Sequence, residues 1–304
     1  MTDSMVLLKQ ILIMFVFMGV GFLFYKIKYI SEQGSKDIGK LLLYLVIPTV
    51  VVKNFCIEFS SENVQSLIYS TFFALLCLAI AGVISYVIFG RKDGISTFSS
   101  TFSNAGFIGI PLVQATLGNG AVFYISMMIV LLNVLQWTFG VWIMTGSAEL
   151  MKPKKIVTNP IVVSVIIGIL IFVLQINIPD EVTDMFSMIS NLNTPLAMIV
   201  SGAYLAQTNL RETFKKKRVY LVCMVRLIIV PIITILVFNF IPYDNTTLLF
   251  AILITACCPV GSNVAIFAQA YKQDYKFAVE QVCMSTMLCV VTVPLMMAFA
   301  KAIL

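Results

Sequence analysis

Ten apolar segments follow one another along the 304-residue chain, and only short polar turns separate them. Each is about 20 residues long, which is the length that an α-helix needs to cross the hydrocarbon core of a bilayer. Because 60% of the residues are hydrophobic and only 11% are charged, no stretch is left for a separate soluble domain. The sequence therefore predicts an all-α polytopic membrane protein. The predicted spans lie at residues 5–25, 36–57, 64–89, 95–117, 121–145, 158–177, 184–207, 217–241, 246–271 and 275–300.

Basic residues are concentrated in alternate loops and so predict the orientation of the spans. Most of the 20 Lys and Arg residues fall in the odd-numbered loops, and basic loops stay in the cytoplasm. We therefore expect an integral plasma (inner) membrane protein with both termini outside. The first apolar segment has no basic leader or cleavage site, so we expect no removed signal peptide. The net charge of +6 reflects this topology and does not support nucleic-acid binding. The loop residues are Lys26, Lys28, Lys36, Lys40, Arg91, Lys92, Lys152, Lys154, Lys155, Arg211, Lys215, Lys216, Lys217, Arg218, Lys272 and Lys276.

The composition argues against catalysis. The chain has no histidine, which excludes an imidazole base and the commonest metal ligand. Its seven cysteines show no CxxC spacing and fall mostly in apolar segments, where a free thiol packs as a small hydrophobe. No GxxxxGK[ST] motif is present for nucleotide hydrolysis. An intramembrane aspartyl protease would need two mid-membrane aspartates, which the predicted spans lack. We expect no enzymatic activity, metal or cofactor.

The fourth and ninth predicted spans contain residues that break helices. The fourth carries SNAGFIGIP at 103–111, and the ninth carries PVGSN at 259–263. Proline removes a backbone donor and glycine lowers helix propensity, so we expect both stretches to unwind. Unwound backbone survives at membrane depth only when it is buried in protein or lines a watery cavity. The alternative for either stretch alone is an ordinary proline kink with close helix packing at the glycines.

The prolines also indicate an internal repeat. Pro48 and Pro195 lie 147 residues apart, and Pro111 and Pro259 lie 148 apart, with five spans separating each pair. An odd number of spans per repeat inserts the two copies upside down relative to each other, as in many secondary transporters. Two pairs with nearly the same offset favour a repeat over chance. We predict a first five-helix repeat at 1–145, a short cytoplasmic linker at 146–157 and an inverted second repeat at 158–304.

Together the two breaks predict a binding site for a small carboxylate. If they cross, the N-terminal ends of the half-helices present free N–H groups and a positive potential. Neutral polar side chains beside them would add hydrogen bonds. The candidate substrate-binding residues are Asn104, Gly106, Pro111, Pro259, Gly261, Ser262 and Asn263, with Gln136 and Gln281 as further candidates.

Two charged residues lie inside predicted spans. Arg226 in the eighth span and Glu280 in the tenth have a similar predicted depth, and each is costly alone in a bilayer. We therefore expect them to pair. In the functional interpretation, Arg226 attracts the anion or gates its path, and Glu280 is its counter-charge or a proton site. In the structural interpretation, the pair pins the two spans together.

Two longer motifs show a resemblance to a known family. They are NAGFIGIPL (104–112) and PVGSNVAIFAQAY (259–271), with weaker landmarks at TNPIV (158–162) and VRLIIVP (225–231). They resemble the auxin efflux carrier family, which includes plant PIN-type auxin transporters and bacterial organic-acid permeases. The long cytoplasmic loop of the plant proteins is much shorter here, and Val264 replaces their second ninth-span proline. The resemblance is thus closer to the bacterial type.

The resemblance implies ten helices in two inverted repeats, with broken helices 4 and 9 crossing at the substrate. It further implies a scaffold of spans 1, 2, 6 and 7, a transport domain of spans 3–5 and 8–10, and a homodimer formed through the scaffold. Asn104 would contact the carboxylate, and Pro111 and Pro259 would be the crossover prolines.

We therefore predict a secondary transporter that moves a small organic anion, such as malate, malonate or an auxin-like acid, by alternating access. A receptor that binds the same ligand without moving it is the alternative on this architecture. The coupling stays open at the level of sequence. Crossover carbonyls could bind sodium, and Glu280 could carry a proton, but neither broken stretch contains an acidic residue. Facilitated transport is the third possibility.

Overall fold

A computed structural model describes residues 3–150, 157–208 and 210–304. This part of the chain is all-helical, with 82% helix and no strand. Much of the predicted linker at 146–157 lies outside the described residues. The helices in chain order are α1 Asp3–Lys26, α2 Glu32–Phe55, α3 Ser61–Phe89, α4 Gly94–Thr101, α5 Ala105–Leu117, α6 Asn119–Thr145, α7 Pro160–Leu174, α8 Asp180–Asn191, α9 Asn193–Ala206, α10 Leu210–Thr213, α11 Lys217–Asn239, α12 Thr246–Cys257, α13 Asn263–Ala270 and α14 Tyr275–Ile303.

Six of these helices are long and apolar enough to cross a membrane, namely α1, α2, α3, α6, α11 and α14. The helices α5, α7 and α12 are apolar but shorter. Predicted span 4 corresponds to α4 and α5, span 7 to α8 and α9, and span 9 to α12 and α13. The length and composition of these helices are those of an integral membrane protein. The count of ten spans stays a prediction.

The helices fall into two groups that pack mainly within themselves. In the first group, α1 packs along α9, and α2 packs on α7 and α8. Close approach is possible because Gly21 of α1 and Gly202 of α9 each lie directly against the backbone of the other helix, where a Cβ would overlap it. The second group consists of α3–α6 and α10–α14, with α12 and α14 central to its packing. The first group contains predicted spans 1, 2, 6 and 7.

Three helices pass through a proline by forming a π turn immediately before it. The turns are Leu42–Val46 before Pro48, Ala105–Gly109 before Pro111, and Val225–Ile229 before Pro231. In each, the N–H of the residue preceding the proline bonds to the carbonyl five residues back, for example Ile110 to Ala105. The extra residue in the turn offsets the missing donor and the steric clash of the proline ring.

The position predicted for the break in span 4 is consequently corrected. The stretch from Gly106 to Pro111 stays helical, and the break lies just before it, between the end of α4 at Thr101 and the start of α5 at Ala105. In span 9 the predicted stretch is unwound, because α12 ends at Cys257 and α13 begins at Asn263. All residues at 95–105 and 251–262 are buried, as unwound backbone in a membrane protein requires.

Candidate functional site: the crossing of two broken helices

The two breaks lie against each other and are joined by backbone hydrogen bonds. The N–H of Asn104 donates to the Pro259 carbonyl at 2.8 Å, and the N–H of Gly261 donates to the Phe102 carbonyl at 2.9 Å. Ser103 and Val260 form an isolated antiparallel bridge between these bonds. The predicted meeting of the two broken stretches is confirmed, and the contact satisfies backbone groups that neither helix can satisfy alone.

Position 261 leaves little room for a side chain. A Cβ there would lie 3.0 Å from the Ser103 carbonyl oxygen and 3.2 Å from that of Phe102. Both oxygens are backbone atoms of the bridged segment, so relieving the contact would require the backbone to shift. Gly261 therefore permits the close approach of the two chains, which is the role that glycine takes where backbones meet.

The N-terminal ends of α5 and α13 meet at this crossing. Asn104 caps α5, since its Oδ1 accepts from the N–H of Phe107 at 3.3 Å. Its Nδ2 donates to the Ser262 Oγ at 3.2 Å, and Ser262 immediately precedes α13. The two helix N-termini thus add their positive ends at one buried place, and one side chain connects them.

A cavity of about 30 Å³ adjoins this point and lies between the two helix groups. The second group supplies residues 103–107 and 261–263 together with Ile129, Leu132 and Asn133, and the first group supplies Leu43, Ile47 and Ile161. No charged side chain is among these described lining residues. The volume holds about two water molecules, which is less than a small carboxylic acid occupies.

Two hydrogen-bonding groups near the cavity have no partner within the described part of the chain. One is the Ser103 hydroxyl, which lines the cavity, and the other is the Nε2 of Gln136. Gln136 accepts from the Asn263 Nδ2 through its Oε1 at 2.8 Å, which orients its amide beside the crossing. Buried polar groups are normally paired, so the Ser103 hydroxyl, which lines the cavity, is available to a ligand.

Arg226 forms hydrogen bonds to the C-terminal ends of α4 and α12. It is almost completely buried, at 1% exposed. Its guanidinium donates to the carbonyls of Ser100 and Thr101 at 3.2 and 3.1 Å and to the carbonyl of Cys258 at 3.2 Å, and a further bond reaches Ala256. These carbonyls end α4 and α12 and cannot bond within those helices.

The predicted pairing of Arg226 with Glu280 is wrong. Glu280 is fully buried and accepts instead from the Lys216 Nζ, at 2.8 Å to Oε1 and 2.6 Å to Oε2. Arg226 makes no ion pair with any described carboxylate. The similar depth of the two residues in the sequence was a poor guide, because backbone carbonyls of broken helices can serve as acceptors for arginine.

The candidate residues fall into two sets, those that line the crossing cavity and those that do not. Asn104, Gly106, Gly261, Ser262 and Asn263 line the cavity. The residues that do not line it are Pro111, Pro259, Gln136, Gln281, Arg226 and Glu280. Pro111 is buried within α5, Pro259 supplies its carbonyl to the crossing, and the Gln281 Nε2 donates to the Ser96 Oγ at 3.3 Å, linking α14 to α4.

Sequence reasoning missed several lining residues. Ser103 stands beside Asn104 in the broken stretch, so its position in the motif could have indicated it. Asn133 is a polar residue of α6 that was not among the candidates; its Nδ2 bonds to the Ile129 carbonyl of its own helix, and it lines the cavity. Leu43, Ile47 and Ile161 carry no signal that separates them from other apolar residues of a span.

A second cavity of about 30 Å³ lies on the other side of Ser262. Its polar lining consists of Lys36, Tyr204, Gln269, Tyr275 and Ser262. Lys36 forms an ion pair with Glu32 one turn earlier, at 2.7 Å. Ser262 therefore stands between the uncharged crossing cavity and a cavity that carries a basic residue.

Two broken helices that meet beside a cavity inside a helical membrane protein are an arrangement found in secondary transporters. The sequence matches the family model described as "Membrane transport protein" twice, over residues 6–156 and 147–297. The chain belongs to this family, the auxin efflux carrier family. No curated protein matches the sequence significantly. Membership in a transporter family is consistent with the predicted lack of enzymatic activity.

Proposed function

We propose that this protein is a secondary carrier for a small organic anion that binds at the crossing of α4–α5 with α12–α13. The main support is the charge pattern of the site. The N-terminal ends of α5 and α13 face a cavity with no carboxylate in its described lining, and Arg226 compensates the C-terminal ends of α4 and α12. The positive N-terminal ends of α5 and α13 therefore stay uncompensated, which suits a carboxylate.

The proposed substrate is a small organic acid of the malate or malonate kind. Asn104, Ser262 and Asn263 would donate or accept hydrogen bonds, and the Ser103 hydroxyl would take up a carboxylate oxygen. The short loop between the two halves and Val264 in the ninth-span motif favour such an acid over auxin.

The proposed mechanism is alternating access. The second helix group carries both breaks and would move as a transport domain against the first group, which would be the scaffold and the homodimer contact. Because the cavity walls come from both groups, relative movement opens and closes the site. The cavity beside Lys36 would be the cytoplasmic access route, because Lys36 belongs to the basic odd-numbered loops that are proposed to lie in the cytoplasm. The external termini and the two inverted repeats remain part of the same proposal.

The test is uptake of radiolabelled malate and malonate into proteoliposomes. We expect saturable uptake above that of protein-free liposomes, and a carrier should also exchange internal for external label. Tight binding without uptake under any imposed ion or voltage gradient would identify a receptor, and neither binding nor uptake for a panel of small carboxylates would contradict the anion site.

Replacing Asn104 by alanine should weaken substrate binding by roughly 10- to 100-fold, because one hydrogen bond to a charged group contributes about 1.5–3 kcal/mol. Binding is measured by the concentration dependence of uptake or by ligand-induced thermal stabilisation. Asn54→Ala is the matched control, since among the described residues the Asn54 amide bonds only to the Val50 carbonyl of its own helix. Unchanged affinity in Asn104→Ala would remove this residue from the site.

A further inference from the structure

The C-terminal ends of two half-helices share a single cation. Arg226 uses its Nε and both terminal nitrogens on four carbonyls, two at the end of α4 and two at the end of α12. These ends carry partial negative charge because their last carbonyls lack helical partners. One guanidinium therefore neutralises both negative ends at the crossing.

The same carbonyls have the chemistry of an alkali-ion site. In carriers with broken helices, unwound carbonyls and half-helix C-termini coordinate the sodium ion that drives transport. Here these oxygens accept hydrogen bonds from the Arg226 guanidinium, which is covalently attached to α11. This helix is continuous through the region and contains a π turn at Val225–Ile229. The cation cannot dissociate.

We propose that the Arg226 guanidinium is a built-in cation of the crossing, which supplies permanently the positive charge that a coupled carrier takes from a bound sodium ion. The inference deepens the proposed anion carrier. The crossing keeps its positive charge whether or not sodium is present, so binding of the anion there requires no sodium. Removing the guanidinium leaves the two C-terminal ends uncompensated and creates a requirement for an exchangeable cation.

The test compares thermal unfolding of purified protein in sodium, potassium, methylguanidinium and choline, without substrate. The wild type should unfold at the same temperature in all four. Arg226→Gln keeps an amide donor but loses the charge; it should unfold at a lower temperature in choline and recover part of that loss in sodium or in dilute methylguanidinium. Arg226→Lys keeps the charge and should show no such recovery.

Arg218→Gln is the control, because Arg218 lies in the first turn of the same helix but pairs with Asp93 near the surface, away from the crossing. It should show no cation response. The proposal is overturned if Arg226→Gln is as stable as the wild type, if its loss is equal in all four cations, or if it yields no folded protein in any of them. Since no substrate is used, failure here is distinct from failure of the anion-carrier proposal, which uptake decides.

Discussion

Replacing Lys216 by glutamine should lower the free energy of unfolding by about 3 kcal/mol, the lower end of what breaking a buried ion pair costs. Glu280 is fully buried, and Lys216 is its partner at 2.6–2.8 Å. Without the ammonium group, a fully buried carboxylate loses the charged partner that it has in the structure. The lower end of the range applies because the Lys216 side chain is 39% exposed, which lets water reach the site. Thermal or chemical unfolding of the purified protein measures the loss.

Two further variants test whether the loss of stability comes from the unpaired charge of Glu280. Adding Glu280→Gln to Lys216→Gln removes both charges and should restore most of the stability, since the cost arises from the unpaired charge. Lys276→Gln breaks the exposed pair with Glu212 at 3.2 Å and should cost at most about 1 kcal/mol. If Lys216→Gln were no more harmful than Lys276→Gln, Glu280 would not depend on Lys216.

Replacing Gly106 by leucine should abolish substrate uptake while the protein still folds. Gly106 lines the crossing cavity, and a Cβ at this position would lie 3.3 Å from the Cδ1 of Ile47 in the first helix group. Alanine should be tolerated, because the end of the isoleucine side chain can turn aside. The larger leucine would fill a cavity of about 30 Å³ and separate the two groups, with an overpacking cost of about 1–3 kcal/mol.

Uptake and unfolding measured on the same preparations distinguish a blocked site from a damaged fold. Gly19→Leu is the matched control, because Gly19 lies in α1 and a Cβ at this position would have no atom of another helix within 4 Å. This variant should behave as the wild type. Full uptake by Gly106→Leu would show that the substrate does not pass through this cavity.

Much of the helical architecture follows from hydrophobicity alone. Long apolar runs such as α3 and α14 must satisfy their backbone groups internally in lipid, so the sequence predicts them directly. The two breaks were also predictable, because proline, glycine and asparagine occur where an uninterrupted helix would be expected. The exact place of the first break, at residues 102–104, was not predictable. A π turn can carry a helix through Pro111, and the sequence does not show whether the chain forms this turn or unwinds.

The candidate site was predictable only in part. The residues of the two breaks, Asn104, Gly261 and Ser262 among them, were found because they are unusual in a membrane span. The opposite wall, with Leu43 and Ile47, consists of ordinary apolar residues whose role depends on tertiary packing. The partners of Arg226 were also hidden, because they are backbone carbonyls and every residue type has one.

The hydrogen bonds that close the crossing also impose an order on biosynthesis. Asn104 and its partner Ser262 are 158 residues apart, so the ribosome delivers the first break to the membrane long before the second. During that interval the Asn104 amide and the Phe102 carbonyl lack their native partners, which is costly in lipid. The first break therefore gains its native partners only after translation has supplied the second half.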